Sequence, residues 1–358
     1  MSTLFLIGNG FDINCGMKTK YTDVYEKYVN EPSETEIIKK FKETISGDLE
    51  NWCDFEMEMA RYADKLNSES EFVECAVDFS VYMRKHLQRE LYKISRVFEN
   101  KDIYDAAVYE VENSIKSFYK GFSPNVDRMM EARDAGNLGN IEVISFNYTN
   151  TIDRILVGLC TKKGIRKIEP IHIHGTLDDG PVFGVDNVNQ IHSRYPITRK
   201  GLRTFVKPVF NEQYDQLRIE KANNAFARNT TICAYGMSFG DSDLTWRNKT
   251  VEWLRMSAFR HLFVYEYELK NKKFIVESEK MELEDEAKEK LLSKWGVDID
   301  DPIFNQIHIP CGKNIFNVED KIIEEQNQIK LRKNYELQET IEAGKAFINK
   351  TALSKKVE

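Results

Sequence analysis

After Met1-Ser2-Thr3 the chain reads Leu4-Phe5-Leu6-Ile7-Gly8-Asn9-Gly10-Phe11-Asp12. Four apolar residues run directly into a Gly-x-Gly turn. A buried strand that breaks into glycines is how many α/β proteins bring backbone amides up to a phosphate. Glycine suits that turn because a Cβ obstructs both the bend and the close approach of a ligand. One such turn is a weak signal, and its weight depends on what other strand ends supply.

Working outward, strand signals return at residues 141–146, 167–173, 230–236, 261–265 and 306–309. Helical patterns separate most of them, at 151–160, 211–226, 242–256 and 280–295. Strand and helix in alternation predict a Rossmann-like parallel sheet with helices on both faces. Between the first two strands, residues of about 20–135 are charged and aromatic, with apolar residues such as Phe55, Met59 and Tyr62 at helical spacing. This stretch is expected to be a helical insertion that caps the ligand edge of the sheet. Residues 1–318 thus read as one α/β domain with that insertion. Residues 319–358, rich in Lys, Glu and Gln, read as a solvated helical tail and a candidate for self-association.

The 358 residues suffice for a large buried core. A net charge of −7 supplies no global field toward nucleic acid or anionic lipid, so neither is an expected partner. The six cysteines include no Cys-x-x-Cys pair, which removes a zinc ribbon or redox motif and suits a reducing compartment. The amino terminus enters a strand without a basic leader, and no apolar run is long enough to span a bilayer. The expected location is the cytoplasm.

Four polar clusters fall where strands should end: Gly8–Asp12, Ser145-Phe146-Asn147-Tyr148-Thr149, His172-Ile173-His174-Gly175-Thr176, and Gly236-Met237-Ser238-Phe239-Gly240-Asp241-Ser242-Asp243. If the strands are parallel and adjacent, all four meet at one sheet edge, where ligands of such sheets bind. Each residue also has an ordinary structural use. Asn147 could form a turn or cap a helix, His174 could be a satisfied buried histidine, and Asp12 and Asp243 could be helix caps. Convergence of the four is what favours a site.

Gly-Asn-Gly-Phe-Asp, Ser-Phe-Asn-Tyr-Thr, His-Ile-His-Gly and Gly-x-Ser-Phe-Gly-x-Ser-Asp, in this order, resemble the bacteriophage abortive infection AbiH family, as does Trp52-Cys53-Asp54-Phe55-Glu56. The resemblance runs from Leu4 to about Leu254. A more distant likeness is to the sirtuin-like NAD-binding fold, in which a Gly-x-Gly loop holds the phosphates, an Asn faces the ribose and a His before Gly is the base. Gly8, Gly10 and Gly16 match the loop, Asn147 the ribose-facing position, His174 the base, and Ser238 the adenosine side. The zinc module of the deacetylases is missing, so acyl-lysine removal is not implied. The proline and arginine that follow the sirtuin glycine loop are missing too.

These resemblances imply an anti-phage protein that hydrolyses NAD to nicotinamide and ADP-ribose, with NAD as substrate and no metal. Asn147, His174 and Asp12 would be catalytic. Gly8, Asn9, Gly10 and Phe11 would bind the pyrophosphate, with Gly236, Ser238 and Asp243 completing the binding surface. The expected small-molecule partner is a dinucleotide, with a phage-derived trigger and a second copy of the chain as further candidates. Two alternatives use the same residues: a nucleotide or ADP-ribose sensor without turnover, and a metal-dependent phosphoesterase built on His172 and His174, which stand two apart on a strand.

Overall fold

The computed structural model describes residues 2–354 except 215, 267, 268, 270, 271 and 275; the side chains of 53, 213, 214 and 342–354 are also outside the described set. Six strands form the sheet: β1 (Thr3–Ile7), β2 (Ile141–Ser145), β3 (Ile171–His172), β4 (Thr231–Tyr235), β5 (His261–Tyr265) and β6 (Ile307–His308). All pairings are parallel, in the order β3-β2-β1-β4-β5-β6. β1 is central, and every one of its residues is buried, as its unbroken apolar run implies. The chain reverses its direction of winding between β1 and β4, and a crevice opens at the carboxyl ends of strands at such a point.

Alternation along the strands divides the core in two. Phe5, Ile7, Val143, Cys233, Tyr235, Phe263 and Tyr265 face helices Lys101–Ser117, Pro124–Ala132 and Thr151–Lys163. Leu4, Leu6, Ile144, Ile232, Ala234, Leu262 and Val264 face helices Gln216–Arg228, Leu244–Arg255 and Glu277–Trp295.

A third core lies apart from the sheet. Helices Tyr21–Tyr28, Glu36–Gly47, Phe55–Tyr62 and the first half of Glu69–Val97 pack around Phe41, Trp52, Phe55, Phe72 and Phe79. Leu177, Phe183, Val185, Phe205 and Val206 join them from the irregular stretch after β3. The insertion is therefore split. Its first part makes the cap, while Lys101–Ala132 returns to the sheet and belongs to the main core. Helix Glu69–Val97 joins the two, with Phe72 in the cap core and Ile94 in the sheet core. Its 29 residues span about 43 Å.

Two other expectations are corrected. β3 is two residues long rather than seven, because the chain turns after His172, whose O accepts from Gly175 N–H at 3.2 Å. The helix expected over 211–226 is two helices, Lys207–Tyr214 and Gln216–Arg228. The tail forms a helix, Val318–Ser354, whose first turns pack on the sheet core through Val318 and Ile322.

Candidate functional site

The carboxyl ends of β1, β2, β3 and β4 open into one cleft of about 1050 Å³. Its lining includes Gly8, Asn9, Gly10, Asp12, Asn147, Tyr148, His174, Gly236, Ser238 and Asp243, so members of all four sequence clusters meet there. The cap closes one side with Tyr21, Asp54, Glu56, Met57 and Met83, as expected of the first part of the insertion.

The glycine turn is built against β4. Gly8 N–H donates to Tyr235 O at 2.8 Å, Gly10 N–H to Gly236 O at 3.1 Å, and Phe11 N–H to Gly8 O at 3.0 Å. A Cβ on Gly10 would stand 2.4 Å from Gly236 Cα, and one on Gly8 would stand 2.4 Å from Gly236 O. The glycines let two backbone loops touch. Of the four residues offered above as a pyrophosphate cradle, Gly8, Gly10 and Phe11 thus have their amides committed to protein carbonyls. Phe11 does not line the cleft either: its ring is fully buried and meets Phe316 edge-on, with centroids 5.5 Å apart. The Asn9 side chain is spent on the loop ahead of the cap, accepting from Thr19 Oγ1 at 2.6 Å and donating to Thr19 O at 3.0 Å.

Asp12, Asn147 and His174 behave differently. Each is buried at the cleft, and each carries a polar side-chain atom with no hydrogen-bond partner among the described residues: Asp12 Oδ1, both amide atoms of Asn147, and His174 Nδ1. Asp12 is no helix cap, since its Oδ2 accepts from Thr149 Oγ1 at 2.6 Å. Burial raises its pKa to about 6, against the opposing pull of Thr149, Thr151, Asn147 and His172. Asp243 stands at the N-cap position of helix Leu244–Arg255 but makes no side-chain capping bond. Its Oδ1 lies 2.9 Å from His174 Nε2 and 3.1 Å from Lys207 Nζ.

The hydrogen bond to a carboxylate places a proton on His174 Nε2 and leaves the lone pair on Nδ1. Burial lowers the His174 pKa, and the Lys207 charge lowers it further against the pull of Asp243, which favours the neutral ring. Phe146 and Tyr148 hold the imidazole with ring centroids 5.5 and 6.2 Å away. His172 is turned elsewhere. Its Nε2 meets Asp153 at 2.9 Å and its Nδ1 meets Asn147 O at 3.2 Å, behind the cleft. The two histidines do not share a face, because the strand ends between them. Among the described residues no three His, Cys, Asp or Glu side chains converge as a metal cage.

Lys207 is the residue that the sequence did not offer. Its Nζ donates to Glu56 Oε2 at 3.0 Å, Ser242 O at 3.0 Å and Asp243 Oδ1 at 3.1 Å. Burial alone would depress its pKa, but Asp243 and Glu56 outweigh that and raise it, while burial raises the pKa of Glu56 and the lysine opposes this. Asp243 is held well below the usual carboxylate range because Lys207 and His174 outweigh its burial. Tyr148 OH lies 3.1 Å from Glu56 Oε1.

The chain matches the model of the family described as bacteriophage abortive infection AbiH over residues 4–265. It belongs to that family. Membership carries a role in bacteriophage abortive infection. The matched region of this AbiH chain ends at the last residue of β5, and so contains every strand end that builds the cleft. No curated protein and no solved structure matches the chain. No helix among the described residues is long and apolar enough to cross a membrane.

Proposed function

We propose that this AbiH protein hydrolyses the bond between ribose and nicotinamide in NAD, and that the cleft at the strand ends is where it does so. The observation that carries the reading is the set of unpartnered atoms on Asp12, Asn147 and His174. A buried polar atom without a partner costs about 1–3 kcal/mol, and a ligand hydroxyl or a water removes that cost. Three such side chains in one cleft suit a polyhydroxylated ligand. A cleft of about 1050 Å³ has room for a dinucleotide.

The chemistry assigned to these groups balances. The C1′–N bond of NAD breaks, and its electron pair passes to the pyridine nitrogen, whose positive charge is thereby neutralised. A water oxygen bonds to C1′, and its proton goes to His174 Nδ1. No general acid is needed, because the leaving group is already cationic. The Asn147 amide, which can donate and accept at once, holds ribose and water. Asp12 accepts a ribose hydroxyl. Because Gly8, Gly10 and Phe11 have committed their amides, the diphosphate is held elsewhere on the cleft wall.

Purified full-length protein incubated with NAD should release nicotinamide and ADP-ribose in equal amounts. Thermal stabilisation by NAD without its consumption would replace this reading with a sensor. Loss of turnover in chelator, restored by a divalent metal, would replace it with metal-dependent chemistry.

A further inference from the structure

Four chain segments converge on Lys207. Glu56 comes from the cap, Asp243 and Ser242 from the loop after β4, and His174, through Asp243, from the end of β3. The lysine itself is placed by backbone: its N–H donates to Val185 O at 2.9 Å, and Val185 N–H donates to Phe205 O at 2.8 Å. Val185, Phe205 and Val206 belong to the cap core. Lys207 is 3% exposed, and its three protons have three acceptors. It has nothing left to offer a ligand.

We infer that Lys207 is a positioning residue: held in the cap beside Glu56, it fastens the cap to the loop after β4 through Ser242 and Asp243 and, through the shared Asp243 oxygen, keeps the His174 proton on Nε2 and the Nδ1 lone pair free. The geometry gives both halves. Asp243 Oδ1 accepts from His174 Nε2 at 2.9 Å and from Lys207 Nζ at 3.1 Å, so ammonium and imidazole lie within about 6 Å of each other. Lys207 also neutralises the carboxylate that would otherwise draw a second proton onto the ring. The charged groups acting on His174 are Lys207, Asp243 and Asp186, and those acting on Lys207 are Asp243 and Glu56. At an effective dielectric near 20, unit charges about 6 Å apart change a pKa by about two units. The inference rests on His174 being the base of the proposed reaction, but its test does not require turnover.

The experiment is a pH titration of full-length protein with ¹⁵N-labelled histidine, the His174 signals being assigned by their loss in His174→Asn. In the parent, His174 should be the Nε2–H tautomer and should protonate below the usual imidazole value of about 6.5. In Lys207→Met its pKa should rise by one to two units. In Glu56→Gln, where Lys207 keeps Asp243 and Ser242, it should move by less than about half a unit, while amide exchange across residues 55–62 accelerates. A parent ring that carries its proton on Nδ1, or that protonates at or above pH 6.5, overturns the inference even if Lys207→Met fails to fold. So does a folded Lys207→Met whose His174 titrates as in the parent. Absence of NAD cleavage with these titrations intact would remove the proposed reaction and leave the role of Lys207 standing.

Discussion

At the amino ends of the strands, Gln306 Nε2 lies 2.8–3.1 Å from the carbonyl oxygens of Leu254, Ser257 and Arg260, just ahead of β6. Thr3 Oγ1 donates to Ala135 O at 2.8 Å, and His261 Nδ1 meets His308 Nε2 at 3.0 Å. At the carboxyl ends, Asn147 has two buried amide atoms and no partner among the described residues. Both edges bury amides and histidines, and they differ in what those groups do for the fold. The first edge spends its polar groups on holding strand starts in register. The second pairs Lys207, Asp243 and Glu56 but leaves Asp12 Oδ1, His174 Nδ1 and the Asn147 amide without partners among the described residues. Four buried atoms without a partner among the described residues gather on three side chains of this one cleft, whereas Asn150, Asn229, Arg247 and Trp295 carry one each at separate places, and it is this gathering that supports the proposed site.

Breaking this contrast should separate activity from stability. The largest effect is expected from His174→Ala and Asn147→Ala. Each should lose about 10²–10⁴-fold in NAD cleavage, the range for removing a general base or its partner. Because neither amide atom of Asn147 meets a partner at hydrogen-bond geometry among the described residues, its variant should melt within a degree or two of the parent. A cleavage rate within threefold of the parent in either variant would return these residues to the scaffold. Gln306→Leu should do the converse: chemical denaturation should report a loss of about 2 kcal/mol, with turnover per folded molecule unchanged.

Smaller effects sharpen the comparison through pH. His172 has its pKa raised, because Asp153 outweighs burial. Its contribution is full below the unfolded value of about 6.5 and is lost as pH rises through the folded value. His172→Ala should therefore cost about 1–2 kcal/mol at pH 5.5 and measurably less at pH 8.5 in urea titrations. Asp12 has the opposite consequence. Its carboxyl titrates at about 6 in the folded chain against a usual 3.8, so the folded state holds the extra proton and stability falls as pH rises through that window. Asp12→Asn should equal the parent near pH 4 and exceed it by about 1–3 kcal/mol at pH 7.5. A variant less stable than the parent at the higher pH would mean that the Asp12 carboxylate is paired in solution.

Much of this was readable from the chain. Leu4–Asp12 announced the central strand because a strand buried on both faces must be apolar throughout, and Gly8 and Gly10 marked its abrupt end. The polar ends of β2, β3 and β4 were readable for the same reason. A second use of the glycines was not readable. They serve Gly236, more than two hundred residues away, and nothing local to Gly8 announces that neighbour. Lys207 was invisible because a lysine before a proline looks like the surface lysines near it; only the pairing of Val185 with Phe205 and Lys207 carries it inward. Glu56 stands in the family-like run Trp52–Glu56, yet a carboxylate on an amphipathic helix is usually solvated, and its burial depends on Lys207. The division of the insertion was hidden because helices facing a cap and helices facing a sheet share one periodicity.

The position of β1 also has a consequence during synthesis. Thr3 is the first residue of the first strand, yet it pairs with Ile141 on one side and Thr231 on the other. At about 5–20 residues per second, the ribosome leaves that strand without its second neighbour for roughly 10–45 s. Asp243, which joins His174 to Lys207, comes later still, so a chain interrupted before that residue carries both partners and lacks the carboxylate that holds them together.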